Sequence, residues 1–210
     1  YFDSSSSVSP QQYFVDKDNQ VVTFPIIAPQ FEQVSVSIIV PVYNQWQYTA
    51  QCLTSIIKSV QNVSYEIILA DDCSNDETLH AVDCLENIQV VRPEQNQGFL
   101  LNCNHAAQYA KGNYIVLLNN DTVVHEGWLE ALVSVAEQDK NVALVGSKLV
   151  YPDGTLQEAG GIVWRDGSAW NYGNGDNPEK PEYNYLKPVD YISGASILIR
   201  KTCWQELGGF

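Results

Sequence analysis

Three apolar runs end abruptly in polar residues, each followed by a helical pattern, and few features restrict a fold more. Val36 to Val40 leads into Pro41-Val42-Tyr43-Asn44. Ile67 to Ala70 leads into Asp71-Asp72-Cys73-Ser74, and Tyr114 to Leu118 into Asn119-Asn120-Asp121-Thr122. Short unbroken apolar runs of this kind read as strands buried on both faces. Strands alternating with helices imply parallel β-α units joined by right-handed crossovers. The three polar ends should then line one edge of one sheet, where ligands of open α/β sheets sit.

The intervening segments carry helical periodicity. Leu53, Ile56, Ile57 and Val60 fall at i, i+3, i+4 and i+7, one face of a helix. Ser74-Asn75-Asp76-Glu77 has the form of a capping box and predicts a helix carrying Leu79, Val82 and Leu85 inward. Ile88 to Val91 reads as a short strand, Gly98 to Ala110 as a weaker helix, and Trp128, Leu129, Leu132, Val133 and Ala136 as another helix. Val142 to Val145 is expected to complete the parallel set.

Past Gly146 the pattern changes. Leu149 to Leu156 predicts a hairpin around Pro152-Asp153-Gly154. Trp164 to Tyr185 lacks aliphatic periodicity. It reads either as a surface loop or as one whose Trp170, Tyr172, Tyr183 and Tyr185 cover a sugar. Asp190 to Ile199 suggests a strand, and Lys201 to Leu207 a helix that Gly208-Gly209 stops. Residues 1 to 33, with Ser4 to Ser7 and three prolines, read as a leader or linker from a preceding region, or an arm packing on the core. Val21 to Phe24 could form one short strand there.

Charge narrows the function classes. The 25 acidic against 11 basic residues give a formal charge of -14. That excludes nucleic-acid binding through clustered Lys and Arg, and electrostatic docking on anionic lipid. An acidic protein that binds a nucleotide diphosphate is expected to recruit a divalent cation. No apolar run approaches the ~20 residues of a bilayer span. Five cysteines form no C-x-x-C pair. An odd count without a secretory signal points to a reducing, cytoplasmic compartment. Cys73 reads as a small turn-filling residue, and His80, His105 and His125 as structural or surface residues. The chain lacks methionine and does not begin with one, which suggests a fragment of a longer protein.

Four motifs in order, Ser37 to Asn44, Ile68 to Asp76, Asn96 to Phe99 with the following Asn102-Cys103-Asn104, and Tyr114 to Thr122, resemble the family 2 glycosyltransferases, with rhamnosyltransferase-like bacterial members in view. The resemblance covers residues 34 to 210. It implies an α/β fold of the GT-A type: a Rossmann-like, mainly parallel sheet flanked by helices, with a small mixed or antiparallel second half. Family members of this type receive the nucleobase at Pro41, Val42, Tyr43 and Asn44, with Tyr43 stacking on it. A carboxylate only accepts hydrogen bonds, so Asp72 suits the ring N–H of uracil or thymine, leaving Asp71 structural or at the ribose. Capping of the following helix is the competing role for Asp72.

Asn96, Gly98, Phe99 and Asn104 stand where backbone and amide groups meet phosphate or sugar hydroxyls, unless the segment is an ordinary loop before a helix. Asn120-Asp121 matches a metal motif often written with two acids. Asn120 replaces the first, so Mg2+ or Mn2+ should rest mainly on Asp121, whose other reading is a capped turn. Ser193, Gly194 and Ala195 fall near the acceptor cleft.

The family's catalytic base lies in an acidic segment shortly after a Gly-Gly-Phe motif. The sequence stops at Gly208-Gly209-Phe210, so the base is expected beyond Phe210, and neither Asp190 nor Glu206 matches its position. The expected function is inverting, metal-dependent transfer from a UDP- or dTDP-sugar to a glycan or lipid-linked glycan acceptor, in bacterial surface polysaccharide synthesis. A non-catalytic nucleotide-sugar or glycan-binding module is the alternative. A nucleotidylyltransferase would need a Gly-rich basic loop where Pro41 to Asn44 stand, and a dehydrogenase a G-x-G-x-x-G that no strand here precedes.

Overall fold

The computed structural model describes residues 13–15 and 21–210. The Ser4 to Ser7 stretch and Pro10 lie outside the described residues. Along the chain, β1 (Tyr13–Val15) pairs antiparallel with β2 (Val21–Thr23), and β3 (Ile26–Ile27) follows. The first core unit is β4 (Val36–Val42) with α1 (Trp46–Ser59), and the second is β5 (Tyr65–Asp71) with α2 (Thr78–Ala81). Next come β6 (Leu85–Glu86), β7 (Ile88–Val91), α3 (Phe99–Ala107), β8 (Tyr114–Leu118), α4 (Trp128–Gln138) and β9 (Leu144–Gly146). The second half adds hairpins β10 (Leu149–Val150) with β11 (Leu156–Glu158) and β12 (Gly161–Val163) with β13 (Ala169–Asn171). It ends with β14 (Ser196–Arg200) and α5 (Lys201–Leu207), closed by Gly208 at φ 82°.

Six strands form the central sheet in the order β7-β5-β4-β8-β14-β9. β4 pairs parallel with β5 and β8, and β5 with β7. Every residue of β4 and β8 is buried because helices cover both faces. Ile38, Val40, Ile67, Leu69, Val116 and Leu118 pack with Trp46, Leu53, Ile56 and Leu129 of α1 and α4. Their sequence neighbours Ile39, Ile68, Ala70, Ile115 and Leu117 face Cys103, Ala106 and Ala107 of α3. The period-2 pleat thus feeds two cores from one sheet.

The arm preceding β4 lies against this core. β3 pairs parallel with β6, Phe24 stacks near Trp46 and Phe31 meets Tyr65.

Three local expectations need correction. The Ser74 hydroxyl does not cap a helix: it accepts from Asn44 N at 2.7 Å, while Asp76 Oδ1 takes Thr78 N at 3.0 Å. α2 is consequently short and Leu79 is exposed. β9 does not join the parallel strands directly, because β14 inserts antiparallel between it and β8. The stretch from Trp164 to Tyr185 is only partly irregular, since β13 closes a hairpin with β12.

Candidate active site

From β4 the chain moves to β5 and β7 on one side, then returns to β8 on the other. The switch point therefore lies between β4 and β8, where ligands of such sheets bind. A cavity of about 620 Å³ opens there. Its wall comes from the end of β4 (Pro41, Val42, Tyr43), the end of β5 (Asp72) and the α3 entrance (Asn96, Gly98, Phe99, Asn102). The end of β8 (Asn119, Asn120, Asp121) and the segment Ser193-Gly194-Ala195 complete it. Sequence reasoning gave a binding role to all of these except Asn102 and Asn119, which it placed only within the motifs.

Two loops are clamped together at the cleft edge. Asn44 and Gln45 both sit at φ 62° and Cys73 at φ 64°, the left-handed region that most side chains avoid. Asn44 Oδ1 accepts from Asn75 N at 2.8 Å, and Asp76 Oδ2 accepts from Gln45 N at 2.7 Å. Desolvation pushes the Asp76 carboxyl up, but hydrogen bonds from Thr78, and then from the Gln45 and Trp46 main chain, outweigh it and hold Asp76 below its ordinary value of 3.8. Cys73 fills the tight turn, its thiol donating to Pro93 O at 3.2 Å. Asn44 itself does not line the cleft.

Asp72 is buried, and its two oxygens accept from Gln97 N at 2.7 Å and Gly98 N at 2.8 Å. Asn96 Nδ2 donates to Asp72 O at 2.9 Å. The loop before α3 is thus tied to the end of β5 by three bonds. Gly98 turns it at φ 77° into the helix. Each Asp72 oxygen keeps a lone pair for a ligand.

Asp71 stands differently: fully buried, it meets Arg92 at 2.7 Å and accepts from Ser74 N at 2.9 Å, away from the cavity lining. Asn104 also lies off the cavity lining. Its amide exchanges a pair of hydrogen bonds with the Phe210 backbone, at 3.1 and 3.0 Å.

At the β8 end, Asn119 N donates to Ala195 O at 3.0 Å, joining the Asn119-Asn120-Asp121 turn to the segment Ser193 to Ala195. Asn120 Nδ2 donates to Thr49 at 3.0 Å, which leaves its carbonyl oxygen without a protein partner. The Asp121 carboxylate is exposed and takes no hydrogen bond or ion pair among the described residues. No basic residue lines the cavity among the described residues. Among the described residues, no group of three His, Cys, Asp or Glu is arranged to hold a metal. Such a donor set does not suit an all-protein cage. It does fit Mg2+ or Mn2+ held by one carboxylate, an amide carbonyl and the oxygens of a bound diphosphate.

Behind the opposite rim, Glu158 is buried and accepts from Ser193 N at 3.2 Å, and burial pushes its carboxyl above the ordinary value. Asp190 lies outside the lining, with Oδ2 held by Val163 N at 2.9 Å, and Glu206 is exposed on α5. None of Trp170, Tyr172, Tyr183 and Tyr185 lines the cleft. Trp170 and Tyr183 border a separate groove beside β13.

The glycosyl transferase family 2 sequence model matches residues 37–205. The chain belongs to that family. It is 29% identical over 190 residues to the O-antigen biosynthesis protein RfbC of Myxococcus xanthus, covering 83% of this chain and 14% of RfbC. Glycosyltransferase GlyG of Streptococcus pneumoniae is 33% identical over 115 residues, 52% of this chain and 38% of GlyG.

The mannosyltransferase PcManGT of Pyrobaculum calidifontis, solved with GDP-Man and Mn2+, superposes with a TM-score of 0.59 at 18% identity. That match covers 88% of this chain and 50% of PcManGT. S. aureus TarS 1–349 with UDP-GlcNAc also gives 0.59 at 19% identity, over 83% of this chain and 47% of TarS. The fold is accordingly the GT-A type that the motifs led one to expect. The chain spans well under half the length of the two curated relatives named here.

Proposed function

We propose that this domain transfers a sugar from a UDP- or dTDP-sugar to a glycan or lipid-linked glycan acceptor, with inversion, during surface polysaccharide synthesis. One observation carries the metal-dependent part: the cleft presents two carboxylates and no basic residue, so a diphosphate needs a cation to enter it. Asp121, with the free Asn120 carbonyl, would hold Mg2+ or Mn2+. When bound, that ion neutralises charge developing on the leaving diphosphate. Family membership and the UDP-GlcNAc bound by TarS support a nucleotide-sugar donor, and the O-antigen role in the name of RfbC supports polysaccharide synthesis.

The chain's own residues do the positioning. Tyr43, half exposed at the end of β4, stacks on the base. Asp72 offers its remaining lone pairs to the base ring N–H. Gly98 and Phe99 at the α3 entrance flank the phosphates and sugar. Ser193 to Ala195 present the acceptor to the same cleft. No third carboxylate lines the cavity among the described residues, so the general base is taken to lie outside them.

The test is UDP affinity measured by calorimetry with Mn2+ and with EDTA, for the parent and for Asp121→Ala. Metal should tighten binding to the parent by about tenfold or more, the worth of one strong charged contact, and leave the variant unchanged. Equal parent affinities in both buffers would refute the metal-dependent reading.

A further inference from the structure

One buried polar atom in the cleft wall has no partner among the described residues. Asn102 is 1% exposed and borders the cavity. Its Nδ2 donates to Ala70 O at 2.7 Å, while its Oδ1 is buried and accepts nothing. The bond to Ala70 fixes the amide, since a flip would set oxygen against oxygen. A buried acceptor left unpaired costs about 1–3 kcal/mol, and native structures rarely leave such a group unused.

Position says what should satisfy it. Ala70 lies near the end of β5 and Asp72 directly follows that strand, so the carbonyl that holds Asn102 is two residues from Asp72. Asn102 N donates to Gly98 O at 3.0 Å, and Gly98 N donates to Asp72. The amide therefore stands against the same strand end as the Asp72 carboxylate, on the far side of β4 from Asp121. With the diphosphate near Asp121, this is the nucleoside end of the cleft. Both groups there offer acceptor oxygens: a carboxylate, and an amide carbonyl whose nitrogen is turned to Ala70 O.

We infer that Asn102 is a specificity-determining residue of the donor site, sharing with Asp72 the ring N–H of a uracil or thymine. The inference rests on the donor class proposed above. A base whose ring nitrogen accepts instead, such as cytosine, meets two acceptors and is repelled. Asn102 thus selects the base, whereas Asp121 serves the diphosphate.

The test measures UDP, CDP and 3-methyl-UDP affinities in Mn2+ for the parent, Asn102→Ala and Asn102→Leu. Leucine keeps asparagine's branching and number of side-chain heavy atoms and leaves no cavity, so it stands in if the alanine variant does not fold. The parent should favour UDP over both other nucleotides by about tenfold or more, the worth of one buried hydrogen bond. Both substitutions should weaken UDP by a similar factor, leave CDP almost unchanged and flatten the preference. Equal weakening of UDP and CDP would make Asn102 a structural tether and overturn the inference while leaving the donor class standing. A parent ratio of UDP to 3-methyl-UDP near one overturns it without any substitution. Failure of the parent to bind either UDP or dTDP would remove the donor class itself, and this inference with it.

Discussion

Replacing Asp72 with alanine should unfasten the loop that roofs the nucleotide end of the cleft. The carboxylate accepts from Gln97 N and Gly98 N at 2.7 and 2.8 Å. Hydrogen bonds to charged groups contribute about 1.5–3 kcal/mol each, so two set an upper bound of roughly 3–6 kcal/mol. Gln97 and Gly98 are exposed residues, and water can take over part of what their N–H groups lose. The cost should fall to about 2–3 kcal/mol, a large share of a typical domain's 5–15 kcal/mol. At about 2–4 °C per kcal/mol for a chain of this size, the melting temperature should drop by roughly 4–12 °C. Asp72→Asn keeps one acceptor and should fall between parent and alanine. Differential scanning calorimetry reads all three directly. An alanine variant melting within about 2 °C of the parent would refute the idea that Asp72 holds the loop, since that is less than the loss of even one such bond.

Gly98→Ala meets open space but a φ of +77°. With ψ at 167°, a region essentially restricted to glycine, it should cost about 1–3 kcal/mol of backbone strain, read as a lower melting temperature and weaker UDP binding. Glu158→Gln separates by pH. Burial raises the Glu158 carboxyl above 4.5, so the folded chain keeps a proton that the unfolded chain releases. Stability is then full below that ordinary value and falls as pH rises through the folded value. The glutamine variant should melt above the parent at pH 7.5 and converge with it at pH 4, whereas a constant gap would contradict the assignment.

Strands β4, β5 and β8 were readable almost to the residue, because burial on both faces writes an unbroken apolar run. Their polar ends were readable for the same reason, since a run that stops marks the sheet edge where a cleft can form. What failed depended on distant partners. The Ser74 hydroxyl looked like a helix cap, but Asn44, thirty positions earlier in the chain, claims it. Asn104 looked like a ligand residue, yet its amide is taken by Phe210, 106 positions away. Asn102 stood in a motif without a role of its own, and only its bond to Ala70, 32 positions back, turns its carbonyl into an isolated acceptor. The insertion of β14 beside β8 was invisible for the same reason, because local periodicity carries no information about which edge a late strand joins.

β4 outruns its neighbour: pairing with β8 stops at Ile39–Leu117, while pairing with β5 continues to Val42–Asp71. Backbone groups alternate sides along a strand, and Val42 O faces β5, where it accepts from Asp72 N at 2.8 Å. The main-chain groups of Pro41 therefore face the β8 edge, and proline brings no N–H to that edge. The seam between the two strands cannot be zipped further, whatever side chains surround it. The opening is written into the main chain, and the side chains around it decide only what it holds. This separation lets the metal-motif position carry Asn120 in place of an acid without closing the cleft. Loss of Pro41 would act differently, allowing the two strands to knit toward Asp121 and narrowing the site from its floor.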